Sequence, residues 1–297
     1  MKKNTLVPLD RSGRLIRKAM SYLSDMEAFL DDAPGSVTIL IDALPHAEAS
    51  LKLKILPLLG TAGKDQALWP LFRLLTESTG NEVVCRSAAV QLGLAASLSE
   101  DPGPLSAALI ENLDHPEVLV RSACALALGW EGNHQAIPAL MDHLQDPDRD
   151  VQAAVIAALS SVGDPHVFDF FTERLKNGSM EERRSILLNL WRFGERNSRI
   201  EQIYLNSLDH LSPELHPDIL SALTMIPNTP KVISIYRRML SEKAPAIRRQ
   251  VLENLEGLDP QEYEPLQEIL HELLDDADPR VRQLVIRLLR EKHPTLR

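Results

Sequence analysis

The sequence predicts an all-α fold: a right-handed α-solenoid (α-α superhelix) of about eight stacked helix pairs, closed at its N-terminus by a capping helix. Three observations carry that prediction. A nine-residue pattern recurs at a near-constant interval, its apolar positions have helical spacing, and no strand signal or Gly/Ser linker interrupts the copies. The pattern occurs eight times at intervals of 31 to 36 residues, starting at Leu51, Val84, Val120, Val151, Glu182, Leu215, Ile247 and Val281. Every copy ends in Leu, at Leu59, Leu92, Leu128, Leu159, Leu190, Leu223, Leu255 and Leu289. With the first residue counted as position 0, position 4 is Ile55, Ala88, Cys124, Val155, Ile186, Ile219, Val251 and Val285. Position 5 is Leu56, Ala89, Ala125, Ile156, Leu187, Leu220, Leu252 and Ile286. A fixed period of roughly 20–50 residues marks one supersecondary unit that buries its apolar face by stacking on its neighbours.

Positions 0, 4, 5 and 8 form one stripe of a helix with about 3.6 residues per turn. This B helix is expected near 49–59, 82–96, 117–130, 148–161, 179–192, 212–224, 245–256 and 278–291. A second amphipathic helix, A, precedes it in each unit, at 36–44, 65–76, 103–114, 134–145, 165–176, 197–210, 229–241 and 260–275. In the fourth A helix Ile137, Leu140, Met141 and Leu144 share a face. Pro138 is tolerated there because the first turn has no intrahelical use for its missing N–H. The acidic turns 146–150 and 275–279 place Asp residues where they can cap the following B helix. Gly60, Gly93 and Gly129 directly follow a final Leu and suit left-handed C-caps. Ahead of the array, residues 12–32 form an amphipathic stretch with Leu15, Ile16, Met20, Leu23, Met26 and Leu30. The expected division is a tail and capping helix over 1–35 and one elongated repeat domain over 36–297. Glu182 and Pro217 break the pattern in the fifth and sixth copies, where irregular geometry is expected.

Composition restricts the function classes. The chain is 44% hydrophobic and 25% charged, with 4% aromatics and a net charge of −10. Nucleic-acid binders usually neutralise phosphates with a basic face, so this balance points away from them. The first residues are basic but have no apolar core of a secretory signal, and no uninterrupted apolar run reaches membrane-spanning length. A cytoplasmic protein without membrane association is expected. Cys85 and Cys124 are the only cysteines. They form no disulfide or zinc spacing, and Cys124 occupies an apolar column as a small buried hydrophobe.

The repeats resemble the HEAT-repeat superfamily, and within it the short bacterial repeats related to phycobilisome lyase subunits. The resemblance rests on Gln135-Ala136-Ile137-Pro138-Ala139-Leu140, on the run from Leu144 to Ala154, and on Leu274-Asp275-Asp276-Ala277-Asp278-Pro279-Arg280-Val281-Arg282. It covers roughly residues 36–291. It implies the fold and leaves function open, since such repeats serve many unrelated roles. It also implies that the basic residue at position 1 (Lys52, Arg121, Arg183, His216, Arg248, Arg282) bonds the Asp of the preceding turn, tying turns together rather than lining an anion groove. Family members that hold two irons, the deoxyhypusine hydroxylases, use several His-Glu pairs, whereas His271-Glu272 is the only one here.

No HExxH motif, phosphate loop or nucleophile elbow occurs. His134 and His166, about one repeat apart, make only a weak metal pair. No catalytic, cofactor, metal or small-molecule site is therefore expected. Positive charge concentrates around Arg174, Lys176, Arg183, Arg184, Arg192, Arg196 and Arg199, partly balanced by Glu173, Glu181, Glu182 and Glu195. Trp130 and Trp191 each lie just past the final Leu of a B helix, while Trp69 reads as core. Trp and Arg are enriched among interface hot spots. The leading expectation is a non-enzymatic scaffold or adaptor that binds a protein on its concave face through Trp130, Arg184, Trp191 and Arg192. The resemblance supplies a second reading, a bilin-lyase-like subunit handling a chromophore with a partner subunit. A nucleic-acid binder acting through the Arg183–Arg199 region is a third.

Overall fold

The computed structural model describes residues 11–78, 80–259, 261–262 and 264–292, with the backbone alone for 195–197 and 291–292. The tail ahead of Arg11 and the side chains of Glu195 and Arg196 thus lie outside the described residues. Regular structure among the described residues is helical, with no strand. Two helices come first, α1 (Arg11–Ser24) and α2 (Met26–Asp31). Eight pairs follow: α3 (Ala33–Ala43) with α4 (Ala49–Ala62), α5 (Lys64–Glu77) with α6 (Glu82–Ser97), α7 (Gly103–Glu111) with α8 (Val118–Glu131), and α9 (Ile137–Asp142) with α10 (Arg149–Val162). Then come α11 (Pro165–Asn177) with α12 (Met180–Asn189), α13 (Asn197–His210) with α14 (His216–Leu223), α15 (Pro230–Leu240) with α16 (Pro245–Leu255), and α17 (Gln267–Glu272) with α18 (Pro279–Lys292). The fold is an α-solenoid of helix pairs, grouped into two compact units, Met1–Asp164 and Pro165–Arg297. Within the first unit the B helices α4, α6, α8 and α10 pack in succession; within the second α12, α14, α16 and α18 do the same.

The repeat columns are the core. Position 4 is 0% exposed in all eight copies, and the final Leu is 0% exposed in the first seven. The capping stretch is two helices rather than one. Asp25 interrupts it by accepting the Ala28 N–H at 3.0 Å, the N-cap bond that starts α2. α1 packs on α3, and Ala19, Tyr22 and Phe29 are buried. The fifth and sixth pairs are irregular, as the sequence breaks foretell. α12 runs into a 3-10 segment, Leu190–Arg196, kinked at Gly194 with φ 49°, and α14 has only eight residues. The turn aspartates do cap: Asp148 accepts the N–H groups of Asp150 and Val151, and Asp278 those of Arg280 and Val281.

Two expectations change. Gly60, Gly93 and Gly129 are not C-caps but lie inside α4, α6 and α8, buried. A Cβ on Gly93 would sit 2.5 Å from the Ala127 carbonyl oxygen and the Trp130 Cβ, and one on Gly129 would sit 2.6 Å from the Ala158 Cα. These glycines let successive B helices approach closely. The left-handed caps are Gly132 (φ 74°) and Gly163 (φ 75°), after α8 and α10.

The position-1 arginines also bond differently. Arg121 grips Asp146 with two bonds of 2.9 and 3.0 Å, and Arg248 grips Asp276 with two of 2.8 Å. Each carboxylate belongs to the following repeat. The preceding turn contributes backbone carbonyls instead: His115 and Pro116 for Arg121, Glu242 and Lys243 for Arg248, Asp276 and Ala277 for Arg282. The guanidinium fork therefore clamps two successive turns. His216 takes this place in the sixth copy, 3.4 Å from Glu242 of the following turn.

Candidate functional site

Neighbouring B helices meet along a definable stripe, which fixes the surface they leave open. Position 2 faces forward: Arg184 bonds Asp218 at 3.0 Å, and Arg249 lies 4.0 Å from Asp278. Position 9 faces forward as well, holding the close-approach glycines 60, 93 and 129 and, directly after α16, Glu256, which pairs with Arg287 at 2.6 Å. Positions 6 and 10, one turn apart, carry the side chains left open or half-buried on the B helices. In the first unit they are Pro57 and Thr61, Val90 and Leu94, Leu126 and Trp130, Ala157 and Ser161. None is charged. The second unit has Leu188 and Arg192, Ser221 and Met225, Glu253 and Gly257, and then Arg287.

Trp130 lies on this open surface, 41% exposed, at position 10. It is held there by an ordered helix end. The Ser106 hydroxyl and the Asn133 side-chain amide both donate to Glu131 Oε1, at 2.6 and 3.1 Å. Burial raises the Glu131 carboxyl pKa against the effect of these two bonds. Trp191 is at position 9, one residue earlier in the pattern than Trp130, and lies in the 3-10 segment that follows α12. It is half-buried, and its Nε1 donates to the Leu188 carbonyl at 2.9 Å. Arg192 stacks over its ring at 4.6 Å and donates to Asn189 Oδ1 at 2.8 Å. Burial draws the Arg192 guanidinium below its ordinary value. Arg184 is exposed but engaged with Asp218, a hydrogen bond that raises its pKa. Of the four residues singled out in the sequence, Trp191 and Arg192 are in contact. Trp130 belongs to the first unit and the other three to the second.

The basic concentration is largely compensated. Arg174 pairs with Glu182 through two bonds of 2.6 Å, Lys176 with Glu173 at 2.9 Å, and Arg199 with Asp169 at 2.7 Å. Phe193 is core, edge-on to Phe168 with ring centroids 5.0 Å apart. Trp69, expected in the core, is 50% exposed. It packs edge-on to Phe72 and lines an open hollow of 850 Å³ with Leu15, Leu44 and Arg73. Both cysteines are buried free thiols; burial pushes Cys85 up to about 11 and raises Cys124 further. His134 Nδ1 lies 3.5 Å from Asp164. Among the described residues no three His, Cys, Asp or Glu side chains are grouped to hold a metal ion, and no helix is long and apolar enough to cross a membrane.

This geometry defines a repeat protein of stacked helix pairs whose open surface is the outward stripe of the B helices. Residues 106–191 match the family model for HEAT repeats, so this segment carries HEAT repeats. Comparison with curated proteins returned no significant match. Among solved structures, the complex of CpcE and CpcF of phycocyanin lyase from Nostoc sp. PCC7120 is similar at 18% identity and a TM-score of 0.45, over 85% of this chain and 94% of that one. Human deoxyhypusine hydroxylase in complex with glycerol is similar at 17% identity and a TM-score of 0.33, over 86% and 97%. An engineered protein is similar at 18% identity and a TM-score of 0.37, over 94% and 83%. At these values no functional assignment transfers.

Proposed function

We propose that the chain is a cytoplasmic, non-enzymatic scaffold or adaptor that binds a protein partner on the face formed by its B helices. One observation carries the reading. Across four successive B helices of the first unit, positions 6 and 10 are uncharged and mostly apolar, and they present the 41% exposed Trp130 beside Leu94 and Leu126. In a chain that is 25% charged, an uncharged row with a Trp at its centre has the composition of an interface core. A rigid stack of helices needs little ordering on binding, which favours affinity. In the second unit, positions 6 and 10 of the first B-helix pattern carry Leu188 and Arg192, the latter stacked on Trp191.

The geometry favours neither rival. A covalently held chromophore needs a reachable thiol, and both cysteines are buried. Binding to nucleic acid needs unneutralised cations, and Arg174, Lys176, Arg184 and Arg199 are each matched with a carboxylate. The test is purification of the tagged protein from its source cells at low salt. A colourless, stoichiometric protein complex is expected. Visible absorbance that follows the protein, or nucleic acid released steeply by salt, would replace this reading.

A further inference from the structure

A repeat chain allows one junction to be compared with another of the same molecule. A hollow of 350 Å³ between the third and fourth copies is lined by both members of the Arg121–Asp146 clamp. A hollow of 310 Å³ lies at the equivalent register between the fifth and sixth copies, at the C-terminal ends of α11 and α13. Counted back from the pattern starts, three lining places hold Asp114, Asp142 and Asp146 at the first junction. The same three hold Lys176, Asn206 and His210 at the second. The second clamp is correspondingly half made. Arg183, at position 1, donates to the Lys176 carbonyl at 2.6 Å, which is its bond to the preceding turn. The residue five before the next pattern start is Asp146 or Asp276 in the complete clamps and Glu242 beside His216; here it is His210. Among the described residues no carboxylate pairs with Arg183, and its Nε is buried without a hydrogen-bond partner. A buried donor left unmade is costly, so the cradle favours an acceptor from outside the chain. Leu211 stands where Pro147 stands at the first junction, and with Leu175 and Ile203 it makes this lining mainly apolar.

We propose that the hollow between α11 and α13 binds an aliphatic carboxylate, with its chain against Leu175, Ile203 and Leu211 and its carboxylate against Arg183, in the place that Asp146 and Asp276 fill elsewhere. The chain itself shows what this cradle holds. In two other copies a position-1 Arg, braced by carbonyls of the preceding turn, grips a carboxylate with two bonds. The local charge agrees. No described acidic side chain lines the hollow, and Lys176 and His210 border it. The Lys176 ammonium is 2.9 Å from the exposed Glu173, His210 Nδ1 donates to the Asn206 carbonyl at 2.9 Å, and the neighbouring Asp209 is committed to Arg238. The net charge of the whole chain bears little on such a site, because exposed charges beyond about 8–10 Å are screened at physiological salt. Size separates the occupants. An Asp or Glu of a partner protein brings a carboxylate with too little hydrocarbon to fill an apolar hollow at the lower end of the ligand range of roughly 300–1,000 Å³. A short alkyl chain ending in a carboxylate supplies both halves. The site does not rest on the Trp130 reading, whose residues belong to the first unit, so either can fail alone.

The test is titration calorimetry of the full chain with octanoate, octan-1-ol and acetate, the last two carrying one half of the ligand each. Octanoate is expected to fill one saturable site per chain and to bind at least tenfold more tightly than either half. His210→Asp supplies the missing carboxylate from the chain itself. It is expected to lower octanoate affinity at least tenfold, with a thermal midpoint no lower than that of the wild type because it completes the clamp. Arg183→Gln is expected to bind octanoate no better than octan-1-ol; should that variant unfold, His210→Asp still decides. Octanoate binding that does not saturate, octan-1-ol binding as tight as octanoate, or an octanoate affinity unchanged by His210→Asp would overturn the proposal.

Discussion

Arg248 and Asp276 show how single residues hold one turn to the next. Their side chains are 10% and 6% exposed, and two bonds join them. Burial alone raises the Asp276 carboxyl, but bonds from Arg248 and the Asp278 N–H outweigh it and hold the group below 3.8. The folded chain therefore stays ionised there at a pH where the unfolded chain takes up a proton. The stabilisation is present above the ordinary carboxylate value and is lost as pH falls through the lowered one. Asp146, bonded by Arg121, follows the same sign. Urea midpoints of the wild type are expected to hold steady from neutral pH to about 5 and to fall below about 4. Arg248→Ala strands a buried carboxylate and should cost about 3–5 kcal/mol at pH 7 while flattening that acid limb. A shift within titration error would show the pair to be peripheral. The basic column itself was legible in the sequence. Its partner was not, because Asp276 lies 28 residues after Arg248 and only the stacking brings them together.

Helices and their boundaries were legible wherever the apolar stripe was clean. Position 4 and the final Leu behave as core, and Leu159→Ala should destabilise by about 2–5 kcal/mol in denaturant titration. Less legible was the reason for a glycine at position 9. A glycine after a terminal Leu serves equally as a C-cap or as a point of close approach, and only the neighbouring helix decides between them. Gly93→Ala tests the close approach. Ala gains about 1 kcal/mol of helix propensity over Gly. Overpacking costs about 1–3 kcal/mol, and the obstructing atoms are a backbone oxygen and the stem of Trp130, which cannot swing aside. The variant should therefore melt below the wild type; a higher midpoint would show that α6 and α8 do not approach closely at this residue. The irregular fifth and sixth pairs, by contrast, were foreshadowed by Glu182 and Pro217, the residues that break the pattern in those two copies.

For the molecule as a whole, the repeat period reveals the architecture but not the partner. Stacking energy comes from neighbour contacts along fixed columns, so positions outside those columns are free to vary. The proposed binding surface lies among them. Sequence reasoning found Trp130 and Trp191 together because both follow a terminal Leu. A one-residue difference in register separates them: Trp130, at position 10, is 41% exposed, while Trp191, at position 9, is half-buried, bonded to Leu188 and stacked under Arg192. That distinction depends on where each helix ends and what stacks beside it. Trp191→Ala should accordingly lower the thermal midpoint, through the loss of its Leu188 bond and Arg192 stacking. The most direct test of the account is the binding isotherm of the co-purified protein partner for the wild type and for Trp130→Ala, with thermal midpoints recorded alongside. A hot-spot anchor truncated to Ala loses at least ~2 kcal/mol, so Kd should rise about thirtyfold or more while the midpoint stays in place. An unchanged Kd, or a loss of binding that only tracks a fallen midpoint, would contradict the assignment of the B-helix face as the site of recognition.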